Sequence, residues 1–386
     1  MHSEVLIIGA GPTGSTAAGC LADRHDVMII EEHDTPGLPI QCAGLITPRA
    51  MPEFARGSLI NKIRGAKIHS PLGFTLTLDA RDTKALVVDR ARFDECLFHN
   101  SVDLGAEPLT GAKVRAVKAV DGHVRVEARV ENNIQEFEGT VLIGCDGYRS
   151  IARSAAGIRG PKHMLSGFQV DLIGVEHDPD FVNLYIGNKV APGFFAWSIP
   201  AGDLVRVGLC VWKSDDPPSV YLKKLLSRPE FRGGKKISSS AGKIPVGTAK
   251  TAICGNILLA GDAACHAKPL SGGGVFTGIR GAQLASGCAS RYLTTMQEDE
   301  LWKYDRMWKD DFGRELASAF RIRKVFVSLS DKKMDRALRI FDDPEMLSLI
   351  RDRGDIDYPS SLSPYVLKLA PKLAHFSPQL IESLLK

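Results

Sequence analysis

Three glycines near the start of the chain have a spacing suited to binding a phosphate. Gly9-Ala10-Gly11-Pro12-Thr13-Gly14 follows a short apolar run at 5–8 and precedes small residues at 15–21. A strand before such glycines and a helix after them bring the backbone close to a pyrophosphate. The helix start adds unpaired N–H groups and the positive end of its dipole. A second apolar run, 27–30, ends at Glu31. That is about 20 residues on, where a carboxylate accepts the hydroxyls of a ribose. Gly9, Gly11, Gly14 and Glu31 are therefore candidates for one dinucleotide site.

A second constellation lies far downstream. Ile257-Leu258-Leu259-Ala260-Gly261-Asp262 reads as a buried strand ending in Gly-Asp. Such an ending sets one carboxylate beside a polyol. A ribityl chain is a polyol and NAD lacks one, so Gly261 and Asp262 point to FAD. Next, Pro269-Leu270-Ser271-Gly272-Gly273-Gly274 opens another helix. Its N–H groups suit the electron-rich N1–C2=O edge of a reduced flavin. A third segment, Cys145-Asp146-Gly147-Tyr148-Arg149-Ser150, has Arg153 behind it.

Together, in this order, these motifs resemble the FAD-dependent class that includes aromatic hydroxylases and geranylgeranyl reductases. The likeness covers roughly residues 1–290. It implies that Asp146 and Arg90 lie near the cofactor. Hydroxylases of the class usually carry Gly-Gln-Gly-x-Asn after their Gly-Asp motif. Ser271-Gly272-Gly273-Gly274-Val275 is instead similar to the Pro-Leu-Thr-Gly-Gly-Gly-Ile pattern of geranylgeranyl reductases. Those reductases also carry P-x-x-Y-x-W-x-F-P in the sheet over the flavin. Pro192, Phe195, Trp197 and Pro200 stand in that frame, with Phe195 in place of Tyr and Ile199 in place of Phe. An alternating strand puts Phe195, Trp197 and Ile199 on one face. That face suits a polyprenyl chain; the other reading is ordinary sheet core. Pro39-Ile40-Gln41-Cys42-Ala43-Gly44-Leu45 resembles the family's Cys-Gly-x-x-Leu segment, with Ala43 where Gly is usual. This implies that Cys42 and Ala43 border the flavin ring.

The implied activity is saturation of isolated C=C bonds in geranylgeranyl chains of isoprenoid ether lipids or their precursors. Hydride comes from reduced flavin N5, and a proton follows. Cys42, His266 or ordered water would donate that proton; the other reading of His266 is a packed neighbour of the Gly-Asp turn. Two rival classes remain. Flavin halogenases carry W-x-W-x-I-P, which Phe195-Ala196-Trp197-Ser198-Ile199-Pro200 matches at all but the first Trp. A halogenase, set here beside a flavin monooxygenase, calls on a lysine; Lys62, Lys67 and Lys84 lie nearby, none in a recognisable motif. A non-catalytic prenyl carrier of the same two-lobe fold is the second, and the retained Gly261-Asp262 and Gly272–Gly274 argue against it.

These motifs need a particular frame. At 386 residues, 44% hydrophobic and 24% charged, the chain predicts two or three globular lobes. The expected fold is α/β, a Rossmann-like FAD-binding domain of the aromatic-hydroxylase type. Its expected parts are 1–162 with 246–300, an antiparallel-sheet substrate domain at 163–245 and a helical region at 301–386. A net charge of +4, with no basic run interleaved with aromatics, argues against nucleic acid. The eight scattered cysteines form no C-x-x-C pair, so no metal site is expected. The start shows no signal peptide and no apolar run is long enough to span a bilayer. Reduced cysteines in a cytoplasm follow. Residues 306–339 hold ten Lys/Arg against five Asp/Glu, with Trp308, Phe312, Phe320, Phe326 and Val327 among them. This reads as a surface for anionic head groups at the inner face of the membrane, or as a solvated helical face. Residues 364–367 and 380–385 repeat the theme. No second G-x-G-x-x-G exists, so an external electron donor is expected: ferredoxin, NAD(P)H or another.

Overall fold

The computed structural model describes residues 2–120, 122–247 and 249–362. Asp121 and the tail segments 364–367 and 380–385 lie outside the described residues.

The apolar strand His2–Ile8 sits inside a sheet, with parallel neighbours on both sides. Val5 pairs with Val27 on one side and Val141 on the other. The sheet runs Ile253–Cys254, Ile257–Leu259, Asn133–Gly144, His2–Ile8, Val27–Ile30, Glu107–Leu109. Both faces are covered, which is why its strands read as continuous apolar runs rather than alternating ones. Asn133–Gly144 is longer than its parallel half: its start pairs antiparallel with His123–Val130, which pairs with Ala112–Val120. Helices Pro12–Gly19 and Val275–Thr295 pack on one another, and Arg90–Asp103 packs on the first. Small residues permit that approach: Ala17 and Ala18 are fully buried, and Ser286 Oγ donates to Ala17 O at 3.2 Å.

The second sheet runs Lys235–Val246, His163–Ile173, Leu204–Val211, Phe195–Ala201, Phe181–Ile186, Gly65–His69, Thr75–Asp79. It is antiparallel except where Phe181–Ile186 meets Gly65–His69. One face packs on helix Pro218–Leu226 through Val170, Val207, Leu222 and Leu225. A small sheet of Leu45–Ile46, Ala85–Val88 and Leu59–Ile63 joins the two parts. Two strands from 65–79, outside the expected substrate lobe at 163–245, complete this sheet.

Beyond 298 the chain is helical, through Asp299–Trp308, Arg314–Ser328, Asp331–Phe341 and Pro344–Arg353, with a π turn at Lys309–Gly313. Trp308 and Phe312 are 2% and 1% exposed, packed in the main core. They therefore belong neither to a lipid-facing surface nor to a solvated face, the two readings of 306–339. Their spacing is that of a core stripe, which outweighed the local basic charge. Among the described residues no helix is long and apolar enough to cross a membrane.

One buried hydrogen bond links the helical region to the site. The Tyr304 hydroxyl donates to Leu259 O at 2.7 Å, at the end of the strand that leads into Gly261-Asp262. Tyr304→Phe strands that carbonyl and is expected to lower unfolding stability by about 1–2 kcal/mol. Urea denaturation measures it, and unchanged stability would remove this strut from the account.

Candidate functional site

A cavity of about 1310 Å³ lies between the two large sheets. Its floor begins at the glycine turn. Gly9 has φ +94°, and a Cβ there would stand 2.6 Å from Cys145 O. A Cβ on Gly14 would stand 1.7 Å from Gly9 O. Gly11 caps the Pro12–Gly19 helix, lines the cavity and has nothing within 4 Å of its Cβ position. The first two glycines are therefore demanded by packing, and the third leaves open space at a helix start. Glu31 Oε2 accepts from Ala10 N–H at 2.7 Å, and Oε1 accepts from His33 N–H at 3.0 Å. The carboxylate is held at the cavity wall beside the turn.

Asp146 Oδ2 accepts from the N–H groups of Ile151 (2.6 Å) and Ala152 (3.1 Å). Its Oδ1 is buried without a partner among the described residues, and burial raises the carboxyl's pKa. Arg153 donates to Ala263 O (3.1 Å) and Tyr148 O (2.7 Å), which ties this segment to the Gly-Asp turn. Gly261, at φ +62°, abuts Thr13, whose Oγ1 would lie 2.6 Å from an added Cβ. Among the described residues no group donates to the Asp262 carboxylate, which lines the cavity. Burial pushes its pKa up to about 6, against the pull of Arg90 and Arg153. The loop at 271–274 also lines the cavity, and a Cβ on Gly274 would lie 3.3 Å from Asp262 Oδ1.

Arg90 is buried against Asp94, with Nε and Nη2 donating to Oδ1 at 3.1 and 3.0 Å and Nη2 to Oδ2 at 2.9 Å. Despite the desolvation cost, Asp94 and the Cys42 sulfur hold the guanidinium charged. Cys42 Sγ accepts from Gly44 N–H at 3.4 Å, and Cys42 and Ala43 both line the cavity. Sequence reasoning missed the group that fixes this turn. Arg206 Nη1 donates to Ala43 O and Val88 O, each at 2.9 Å. An arginine inside the apolar run at 204–211 was the available signal.

Phe195, Trp197 and Ile199 share one wall of the cavity, as their alternation predicts. Gly208 lies under the indole, where a Cβ would come within 2.6 Å of Trp197 Cζ2. Trp197 Nε1 donates to Gln169 Oε1 at 3.0 Å, a partner the sequence did not reveal. Pro192 does not line the cavity; its carbonyl accepts from Trp212 N–H at 2.9 Å in a turn. His266 is also outside the lining. It is fully buried between Trp308 and Phe312, at centroid distances of 5.1 and 4.9 Å. Among the described residues both its ring nitrogens lack partners, and burial pushes its pKa down to about 3. Its placement is that of a packed neighbour of the Gly-Asp turn. Of the lysines, Lys62 is exposed, Lys67 donates to Asp178 at 2.8 Å and Lys84 lines the cavity.

An open glycine cradle at a helix start, an orphaned Asp146 oxygen and an unpartnered Asp262 fit a dinucleotide with a polyol. The class is that of an FAD-binding flavoprotein: the family model described as an FAD binding domain matches residues 2–307, and the chain belongs to it. Its curated relatives narrow the class. Digeranylgeranylglycerophospholipid reductase 1 of Methanococcoides burtonii is 31% identical over 88% of this chain and 88% of its own. Digeranylgeranylglycerophospholipid reductase 2 of Methanothermobacter thermautotrophicus is 30% identical over 94% of this chain and 98% of its own. The chain is a member of this geranylgeranyl reductase family of flavin-dependent oxidoreductases. In structure it is similar to a geranylgeranyl bacteriochlorophyll reductase-like protein of Thermoplasma acidophilum (TM-score 0.84, 22% identity, 95% and 98% of the two chains). A flavin-dependent brominase shares the fold as well (TM-score 0.74, 15% identity, 96% and 100%).

Two pH dependences follow. Asp262 has a folded pKa of about 6 against an ordinary 3.8. The unfolded chain ionises it more easily, so its burial favours folding at low pH and opposes it as pH rises through 6. The side chain opens on the cavity, and solvent screens part of the cost. Flavin-free Asp262→Asn is expected to exceed wild type by about 1–2 kcal/mol at pH 7.5 and to match it at pH 4. Equal urea midpoints at both pH values would contradict the burial. His266 behaves oppositely, since its folded pKa lies near 3 and its ordinary one at 6.5. The stability of keeping it neutral is present above 6.5 and is lost as pH falls. From pH 7.5 to 5, wild type is expected to lose about 2 kcal/mol relative to His266→Leu. Flavin content and turnover should be the same in both, and a loss of turnover alone would return His266 to the reaction.

Proposed function

We propose that the chain is an FAD-dependent reductase that saturates isolated C=C bonds in the geranylgeranyl chains of isoprenoid membrane lipids or their precursors. One observation carries this reading. The apolar Phe195–Trp197–Ile199 face walls the same cavity that holds the glycine cradle and Asp262. At about 1310 Å³ that cavity exceeds the roughly 300–1,000 Å³ of a single-ligand pocket, leaving room for a chain beside a cofactor. The names of the two reductase relatives support the same substrate class.

In this reading Gly9, Gly11 and Gly14 hold the pyrophosphate region and Glu31 the adenosine ribose. Asp146 and Asp262 meet the diphosphate and ribityl portion. Arg90, Cys42, Ala43 and Gly272–Gly274 surround the ring. Bound there, FAD supplies the hydride, and the protein supplies orientation and a dry site. Trp197, fixed by Gln169, and Phe195 and Ile199 hold the alkene by dispersion and exclude water. An isolated alkene carbon cannot retain negative charge, so a proton must arrive at the other carbon. Cys42 is the donor on the lining, and the adjacent Arg90 offsets the charge left on sulfur. Electrons enter from an external donor such as ferredoxin or NAD(P)H. The lipid is taken up at the cytoplasmic face of the membrane, where exposed basic residues of 314–339 meet anionic head groups. A monooxygenase or halogenase has the shared fold in its favour. For the lysine of a halogenase, Lys67 is paired with Asp178 and Lys62 faces solvent, which leaves Lys84 on the cavity lining.

The test is anaerobic. Dithionite reduces the holoenzyme, a geranylgeranylated glycerophospholipid is added, and flavin reoxidation and lipid mass are followed together. Reoxidation with a mass gain of one H₂ per double bond is expected. Cys42→Ser should slow reoxidation by about 10²-fold without changing flavin content. A flavin that stays reduced until O₂ is admitted, with no mass gain, would hand the lead to the oxygenase or halogenase.

A further inference from the structure

Phe195 lines two spaces. Beyond it an apolar recess of about 230 Å³ adjoins the main cavity, walled by Leu184, Phe195, Leu270, Leu316, Ala319 and Pro359. Leu184 and Phe195 line both spaces. Phe195 is stacked on Phe194 with centroids 4.2 Å apart. The polar side of the boundary is Lys268, which is buried and donates to Asp357 Oδ1 at 2.7 Å and to Ile356 O at 3.3 Å. Arg49 also donates to Asp357, at 3.4 Å, and to Asp355, at 2.8 Å. These bonds strap the chain at 355–357 across the recess. Glu315 beside it accepts from the Ser360 backbone N–H and hydroxyl. A buried ion pair contributes little net stability against its desolvation cost. What Lys268–Asp357 supplies is position: it holds the strap as a wall and keeps its own charges paired.

We infer that this recess receives the far end of the prenyl chain and thereby sets which double bonds can be reduced. The inference rests on the prenyl-reductase reading. A geranylgeranyl chain carries double bonds in series, and each must reach one reacting position. Presenting the bond nearest the head group requires apolar room beyond that position for the carbons that have already passed. The recess is apolar, lies next to the aromatic wall and shares Phe195 with it. A longer chain gains burial there that a shorter one cannot reach, and burial of apolar surface is what such a chain has to offer.

The experiment fills the recess. Ala319 is 2% exposed in its wall. Oxidised holoenzyme is titrated with geranylgeraniol and with geraniol, following the flavin absorbance. Wild type should favour the longer alcohol, and Ala319→Phe should lose about tenfold affinity for it while holding geraniol nearly unchanged. In turnover, Ala319→Phe should saturate the terminal bonds at the wild-type rate and leave the bond nearest the head group, as read by tandem mass spectrometry. Ala319→Val is the smaller filler should the Phe variant lose its flavin or its melting transition. Equal loss for both alcohols, or unchanged affinity for geranylgeraniol, overturns the inference. Length-selective binding abolished by the filler, with no lipid reduced by wild type, overturns the reductase reading and leaves the recess standing. Reduction by wild type with no length selectivity does the reverse.

Discussion

Three passes of backbone meet at a point where no side chain fits. Gly9 turns against Cys145, and Gly14 comes back over Gly9, with a Cβ at either position inside the neighbouring main chain. Protein interiors do not yield to overlaps of this size. The glycines therefore fix how closely the first helix, the first strand and the end of Asn133–Gly144 converge. Everything placed by those elements inherits that position: Glu31 at the end of the next strand, Asp146 just past the third, and Asp262 beyond the fourth. The floor of the cavity is a consequence of backbone contact first and of side-chain chemistry second.

Charge is then arranged around that floor at low dielectric. Arg90 meets Asp94 in a bidentate pair and stays protonated. Asp262 is close enough to feel Arg90 and Arg153 but is bonded to neither, so burial dominates its ionisation. Asp146 has one oxygen satisfied by a helix start and the other by nothing among the described residues. Unmet buried polar groups are costly in a folded chain and need an explanation. A cofactor offering hydroxyls and a phosphate chain is such an explanation. His266 is the contrast: it too is unmet, but it is enclosed by rings and stays neutral.

The legible part of this protein was the part encoded locally. Strand, glycine turn and helix at 5–21, the run at 27–30 and the Gly-Asp ending at 261–262 are short-range patterns with one steric meaning each, and the structure has them in those roles. The apolar face of Phe195, Trp197 and Ile199 was legible because strand alternation fixes it. What stayed hidden depends on contacts between distant segments. Strands at 65–69 and 75–79 are half-exposed and weakly patterned, and only pairing with Phe181–Ile186 makes them part of the second sheet. Arg206, Gln169 and the Lys268–Asp357 pair act across 28 to 163 positions of sequence. Pro192 and His266 lie outside the cavity lining for a related reason: motif neighbours are adjacent along the chain, while one supplies a turn and the other faces a different core.

The two halves of the site are held in register by one side chain. Arg206 lies opposite Ile199 in the second sheet, two residues from Gly208, which lies opposite Trp197. The same Arg206 reaches down to Ala43 O and Val88 O. The strand beneath the indole therefore also carries the tie to the Cys42 turn. Strand geometry is stiff, with a fixed rise per residue, so the height of the aromatic wall over the turn follows from that tie. Gly44 leaves the space for it, since a Cβ there would stand 2.4 Å from Arg206 Nη1. A polar clamp at the edge of an apolar face thus does what the apolar face cannot. Dispersion contacts alone would not fix the height of that face over the Cys42 turn; the Arg206 bonds do.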